Sequence, residues 1–386
     1  MIEQLKQEFF KQYGAPCEKV LFSPGRVNLI GEHTDYNGGY VFPAAIGMGS
    51  TLLYRKRKDN VIRLKATDLP QIVEADIRQL ERYQNLLWGN YQLGIFETMK
   101  KQGYSISGCD LLYDDTIPHG GGLSSSAAIE VVTALLVSVL SGEQTDMAKM
   151  ARISQQMEHE YIGVKCGIMD QFSSAMGKRN HAIFLNCKTM DFELVPIRMD
   201  GYKLVISNTN KKRSLADSKY NERRAECEQA VEELRKEIPG ITCLADVTAE
   251  MFAQHKSAIT NRTIQKRAEH VIMEDDRVLQ SVTVLKQGDL AAFGKLMNAS
   301  HDSLRDFYEV TGTELDTLVE EARKIDGVLG SRMTGAGFGG CTVSLVRDDA
   351  VEKFQTAVSE NYQKRIGYAP SFYITVIGDG GRVLEG

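Results

Sequence analysis

The chain has 386 residues, 42% hydrophobic and 25% charged, with a formal net charge of −5. That length exceeds one ordinary domain, and the acidic balance lacks the basic stripe of a nucleic-acid binder or an anionic-membrane binder, which leaves small molecules as the expected partners. The seven cysteines are scattered, odd in number and without a CxxC pair, which excludes a disulfide framework or a zinc cage and reads as reduced thiols.

At the N-terminus, MIEQLKQEFFKQYG mixes acids and bases through an amphipathic pattern and has no uninterrupted apolar run, so it is not a signal peptide. No segment approaches the roughly 18 apolar residues of a membrane span. Both features lead to the expectation of a cytoplasmic protein.

The first unusual segment is the run Ser23–Gly39, in which Arg26, Glu32, His33 and Asp35 sit among Val27, Leu29, Ile30 and several glycines. A solvated loop would tolerate such charges. The apolar neighbours instead carry the segment inward, where charges need partners, and alternating donors and acceptors suit a polyhydroxy ligand. A strand is expected at Val61–Ala66 and a helix at Gln92–Lys101, with the single tryptophan, Trp88, just before it.

Next comes a glycine loop, Pro118-His119-Gly120-Gly121-Gly122-Leu123-Ser124-Ser125-Ser126, leading into a helix over Ala127–Leu140. Glycines allow left-handed φ values and close approach, and the free N–H groups of a helix start attract phosphate oxygens. The loop has neither the lysine of GxxxxGK[ST] nor GxGxxG spacing, and an ordinary glycine turn with a serine cap is the competing reading.

Further helices are expected at Met150–Tyr161, Gln171–Met176 (with Asp170 as a possible N-cap), Ser218–Lys236, Leu315–Lys324 and Ala350–Tyr362. Further strands are expected at Ala182–Asn186, Lys203–Ser207, Cys341–Val346 and Phe372–Ile377. A second glycine cluster, Gly335 to Gly340, precedes the strand at Cys341 and reads either as a tight loop approaching a backbone or ligand, or as a β-bulge. The alternation of elements indicates an α+β or α/β protein, with a division between residues 1–195 and 196–386 in a short connection.

The run GRVNLIGEHTDYNGGYVFPAAI resembles the galactokinase signature, and PHGGGLSSSAA and RMTGAGFGGC resemble the second and third motifs of the GHMP small-molecule kinases. WGNY, MEHEYIGVKCGIMDQF, SKYNERRAEC and SHDSLRDFYEV extend the resemblance over nearly the whole chain. It implies an α+β, two-domain GHMP kinase fold, with an N-terminal unit like the second domain of ribosomal protein S5, a ferredoxin-like C-terminal unit, and an active site in the cleft between them. It also implies ATP-dependent phosphorylation of the anomeric hydroxyl of galactose, giving galactose 1-phosphate, the entry step of galactose breakdown.

By the same resemblance, Asp170 faces the anomeric hydroxyl with Arg26 beside it. Arg26 would stabilise charge spread over the transferred phosphoryl, giving Asp170 an orienting role beside a proton-accepting one. Glu32, His33, Thr34, Asp35, Gly167 and Tyr220 join Asp170 at the sugar, while Gly120, Gly121, Gly122, Leu123, Ser124, Ser125, Ser126 and Trp88 take ATP. Ser126 and Glu158 hold Mg²⁺, whose hard octahedral character suits oxygen ligands. No nucleic acid, membrane or obligate protein partner is implied. Arg213 stands where many relatives carry histidine, and Lys65–Asp68 offers no evident adenine contact.

Two alternatives remain at this stage. One is a kinase for N-acetylgalactosamine or another hexose; the other is a non-catalytic galactose sensor, against which the complete Leu123–Ala128 segment argues.

Overall fold

Short runs rich in β-branched and aromatic residues pair into three sheets in this computed structural model, which describes residues 2–84, 86–118, 120–142, 144–211 and 216–386. The largest sheet contains β1 (Lys19–Asn28), β3 (Pro43–Lys56), β4 (Val61–Ala66), β5 (Ile72–Asp76), β6 (Cys109–Asp115) and β13 (Arg382–Glu385), in the order β13-β1-β3-β6-β4-β5. Within it, β4 and β6 run parallel and the other pairs antiparallel. A small antiparallel sheet joins β2 (Tyr40–Val41), β7 (His181–Asn186) and β8 (Phe192–Pro196).

The third sheet has the order β10-β11-β9-β12, from β9 (Tyr202–Asn208), β10 (Val328–Thr334), β11 (Cys341–Arg347) and β12 (Ser371–Thr375). Helices connect β9 to β10 and β11 to β12, and all neighbouring strands are antiparallel. This is the ferredoxin-like arrangement that was expected of the C-terminal unit.

Among the helices, α1 (Ile2–Tyr13), α2 (Asn90–Lys101), α3 (Ser125–Leu140), α4 (Met147–Met157) and α5 (Met169–Met176) belong to the first half. The second half carries α6 (Ala216–Leu234), α7 (Ala249–His255), α8 (Arg262–Lys286), α9 (Leu290–Ser303), α10 (Gly312–Arg323) and α11 (Val351–Ile366). Helix α3 is apolar nearly all round, and it is buried against β1 and β3 with α2, α4 and α5 around it. Each fully buried Leu or Val on it contributes about 1.5–3 kcal/mol.

The predicted strands at residues 61–66, 182–186, 203–207 and 341–346 lie within β4, β7, β9 and β11. The run predicted to end at Ile377 leaves the sheet at Thr375, and Ile377 instead makes an isolated bridge to Ile46. The helix predicted through Tyr161 leaves α-geometry at Met157. Strands β1 and β3 escaped the periodic reading because Pro24, Gly25, Gly47 and Gly49 interrupt them, and β1 does bend at a bulge between Pro24 and Arg26. Helix α8 escaped it because Arg267, His270, Glu274 and Asp275 are buried beside its apolar residues.

At the C-terminal end, β13 returns to pair with β1 in the first sheet. All seven cysteines are free thiols. Among the described residues no helix is long and apolar enough to cross a membrane. Arg213 lies outside the described residues.

Phe354 of α11 is fully buried against the ferredoxin-like sheet, its ring edge-on to Phe372 at 5.9 Å. Phe354→Ala is expected to lower the unfolding free energy by about 3–5 kcal/mol in denaturant titration, because the vacated volume cannot fully collapse.

Candidate active site

The glycine loop is wound by three left-handed residues, Gly120 (φ 68°), Gly122 (φ 71°) and Ser124 (φ 63°), and runs directly into α3. Ser124 occupies the N-cap position without making a cap hydrogen bond, and Ser125 donates its hydroxyl to Asp115. The first-turn N–H groups of α3 therefore lack the serine cap that the competing reading required. Strand β1 clamps the loop from below. Arg26 N–H donates to Leu123 O at 3.1 Å, and a Cβ on Gly25 would lie 2.5 Å from that oxygen.

The Arg26 side chain, 4% exposed, does more. Its Nη1 donates to Gly122 O at 2.7 Å, while Nε and Nη2 reach Asp170 Oδ1 at 2.9 and 2.8 Å. Helix α5 begins at Met169 after Ile168, so Asp170 sits in its first turn and is not its N-cap.

Beyond Asp170 opens a cavity of about 270 Å³, small for a drug-sized ligand and suited to a monosaccharide. Arg26, Glu32, His33, Asp35, Gly167, Asp170 and Tyr220 line it, as do Tyr36, Val164, Cys166, Met169, Gly335 and Ala336. Glu32 Oε1 accepts the Gly335 N–H at 2.7 Å and lies 3.4 Å from Arg332 Nη1. Burial pushes this carboxyl upward against the pull of Arg332.

His33 is held at φ 64° with Nδ1 2.9 Å from Tyr36 Oη, and burial, with His270 nearby, drops it to about 3, so it is neutral. Burial and then the like charge of Asp170 raise Asp35 to about 6. Gly167 is required beside it, because a Cβ there would stand 1.7 Å from Asp35 Oδ2. Thr34 is the exception among the expected sugar residues. Its hydroxyl turns away from the cavity to Gly31 O and Tyr40 O, at 2.9 and 2.6 Å, where it secures the turn.

Two π-turns feed the site, one from each half of the chain. Helix α4 continues as a π-turn over Glu158–Ile162, which brings the buried Glu158 to Gln171 Nε2 at 3.2 Å. The same Nε2 donates to Glu130 Oε2 of α3 at 3.1 Å, and burial beside Glu158 pushes Glu130 well upward. Helix α9 continues as a π-turn over Leu304–Tyr308, and Tyr308 Oη lies 2.7 Å from Tyr36 Oη. Tyr220 closes the aromatic wall 5.2 Å from the Tyr36 ring.

A second, more apolar cavity of about 310 Å³ is lined by Trp88, Tyr91, Ile129, Ser125 and Ser126, together with Ala66 and Asp68. The Trp88 Nε1–H is buried with no acceptor among the described residues. Ser125 and Ser126 at the start of α3 line this second cavity, while Gly122 of the loop is held by Arg26, which lines the first. The second glycine cluster is a loop approaching backbone: a Cβ at Gly335 would lie 3.0 Å from Gly122 O, and one at Gly337 would lie 2.3 Å from Val310 O.

No site role was expected of Tyr36 and Cys166, which line the first cavity beside Gly335 and Ala336 of the second glycine cluster, and Lys65–Asp68, where no adenine contact was evident, places Ala66 and Asp68 on the second. Tyr36 sits inside the quoted polar run, so its signal was present. Asp68 follows a strand end and carries no pattern of its own. A titration by NMR is expected to find Asp35 near pH 6 and to find it lower in Asp170→Asn. The folded state holds the Asp35 proton more tightly than the unfolded state, so the stabilisation is full below the ordinary value of 3.8, falls as pH rises toward 6 and is lost above it. Asp35→Asn is therefore expected to gain more melting temperature over the parent at pH 8 than at pH 4, with the difference growing between pH 4 and pH 6.

Three family descriptions match successive parts of the chain: the galactokinase galactose-binding signature at residues 7–56, the GHMP kinase N-terminal domain at 90–178 and the GHMP kinase C-terminal domain at 281–364. A galactokinase of Clostridium beijerinckii is 48% identical, covering 99% of each chain, and one of Halalkalibacterium halodurans is 49% identical over 94% of this chain and 92% of its own. The crystal structure of Lactococcus lactis galactokinase complexed with galactose superposes with a TM-score of 0.95 at 43% identity, covering 99% of each chain. A mevalonate kinase shares the fold at TM-score 0.68 and 19% identity, over 93% of this chain and 99% of its own. With full-length relatives at this identity, the chain belongs to the galactokinase family of GHMP kinases.

Proposed function

We propose that this enzyme transfers the γ-phosphoryl of ATP to the anomeric hydroxyl of galactose, giving galactose 1-phosphate and ADP, with the 270 Å³ cavity holding the sugar and the Trp88 cavity the adenine. The observation that carries the reading is the Arg26 guanidinium, which contacts Asp170 on the sugar side and Gly122 O on the loop side. The likeness to a structure solved with galactose supports the choice of sugar.

Asp170 orients the anomeric hydroxyl and takes its proton as the oxygen–phosphorus bond forms and the bond to ADP breaks. Arg26 lies where charge develops on the transferred group, and the uncapped N–H groups at the start of α3 hold the other phosphate oxygens. Positioning and electrostatics supply the acceleration, without a covalent enzyme intermediate. Glu32, His33, Asp35 and Tyr220 hold the sugar, and Thr34 acts through the turn it ties.

A hydroxyl on the nucleotide cavity, Ser126, and a buried carboxylate, Glu158, make an oxygen donor set that fits Mg²⁺. Bound there with water and phosphate oxygens, the ion would neutralise phosphate charge. The active site is assigned to the junction of residues 1–195 with 196–386, and the enzyme to the cytoplasm, where seven free thiols stay reduced.

The test is ADP release with Mg²⁺ against a panel of free sugars. Galactose is expected to give turnover. Equal ADP in buffer, with another hexose active, would remove the substrate assignment. Asp170→Asn is expected to lower kcat by at least about a hundredfold while the galactose Kd moves far less.

A further inference from the structure

Glu32 is the one sugar-side carboxylate whose seat is built by the other half of the chain. Its Oε1 takes the Gly335 N–H at 2.7 Å and faces Arg332 Nη1 at 3.4 Å. Arg332, on β10, is completely buried, and the same Nη1 donates to Asn28 O at 2.9 Å. Its Nε donates to Ser300 Oγ at 3.2 Å, and its Nη2 lies 3.8 Å from Glu274 Oε1.

Glu274, on α8, is equally buried. Its Oε1 accepts the Gly31 N–H at 3.0 Å and the Ser300 hydroxyl, and its Oε2 accepts Arg277 Nε at 2.6 Å. His270, neutral because burial lowers it to about 4, has Nε2 3.2 Å from Glu32 O. Three points of the turn Asn28–Glu32 are thus gripped from β10, the loop after it and α8, while Ser300 of α9 ties Arg332 to Glu274. Two carboxylates and two guanidiniums balance in charge, which makes their burial tolerable.

A fixed guanidinium fork does what a core packing residue would not: it decides which carboxylate oxygen is engaged by protein and which is left for a ligand. We propose that Arg332 and Ser300, backed by Glu274, are positioning residues for galactose, holding Glu32 Oε1 so that Oε2 is presented to a sugar hydroxyl. This rests on the reading of Glu32 as a sugar contact. The network touches neither the glycine loop's N–H groups nor the Trp88 cavity, so its effect falls on the sugar and spares the nucleotide.

The experiment compares galactose KM, ATP KM, kcat and melting temperature in the parent, Arg332→Lys, Ser300→Ala, Glu32→Gln and the double variant Glu32→Gln/Arg332→Lys. Arg332→Lys keeps the charge and loses the fork, so it is expected to raise galactose KM at least about tenfold with ATP KM within about twofold. Ser300→Ala should show the same split with a smaller rise, and it carries the decision if Arg332→Lys does not fold. In the Glu32→Gln background, Arg332→Lys should add less than about threefold, because the two act through one carboxylate. Equal movement of both KM values, full additivity in the double variant, or an unchanged galactose KM in both single variants overturns the positioning role. An unchanged galactose KM in Glu32→Gln instead overturns the reading of Glu32 itself.

Discussion

The guanidinium of Arg26 is the tie on which the arrangement of the site depends. It is almost wholly buried, it neutralises Asp170, and it holds the carbonyl of Gly122 in the loop that leads into α3. Charge pairs in such a setting are poorly screened, so the same contact that fixes Asp170 against the glycine loop also supplies the field that the proposed phosphoryl transfer uses. The bulge in β1 is what makes the contact possible. By breaking the strand register between Pro24 and Arg26, it lets Gly25 slide under Leu123 O and aims the arginine side chain across the loop.

Around that tie, buried polar groups come in matched sets. Asp35 is accommodated only because residue 167 has no side chain, Glu32 only because Gly335 and Arg332 answer it, and Glu158 and Glu130 share one amide of Gln171. Removing Arg332 from beside Glu32 leaves an uncompensated buried charge, which costs about 3–5 kcal/mol. The polar groups around the 270 Å³ cavity are consequently held in place by partners on several elements. The aromatic wall of Tyr36, Tyr220 and Tyr308, drawn from three separate segments, reinforces them.

Much of this was legible in the chain. The polar run at Arg26–Asp35 and the glycine loop stood out because charges among apolar residues and clustered glycines demand a structural reason; the run lines the 270 Å³ cavity, and the loop is tied to it through Arg26. What the chain could not reveal was direction. Thr34 sits in the middle of the polar run, and nothing in its neighbours says that its hydroxyl closes a turn. The second glycine cluster was open to reading as a loop approaching a backbone or a ligand, or as a bulge; its Gly335 N–H serves Glu32 and its glycines pack on backbone, while Gly335 and Ala336 line the first cavity. Helix α8 was hidden for the opposite reason: its buried His270, Glu274 and Asp275 erased the apolar stripe by which helices are read.

The two π-turns carry a consequence for how this protein tolerates change in length. Each is a helix holding one residue more than regular winding allows, and in each the surplus falls where a site residue, Glu158 or Tyr308, must face inward. Deleting a single residue from either turn would let the helix relax into ordinary geometry and would improve its local hydrogen bonding. It would also swing the following side chains by about 100° around the axis. The more comfortable helix would be the one that no longer fits the active site, so these two segments are held at their present length by chemistry, against the preference of the backbone.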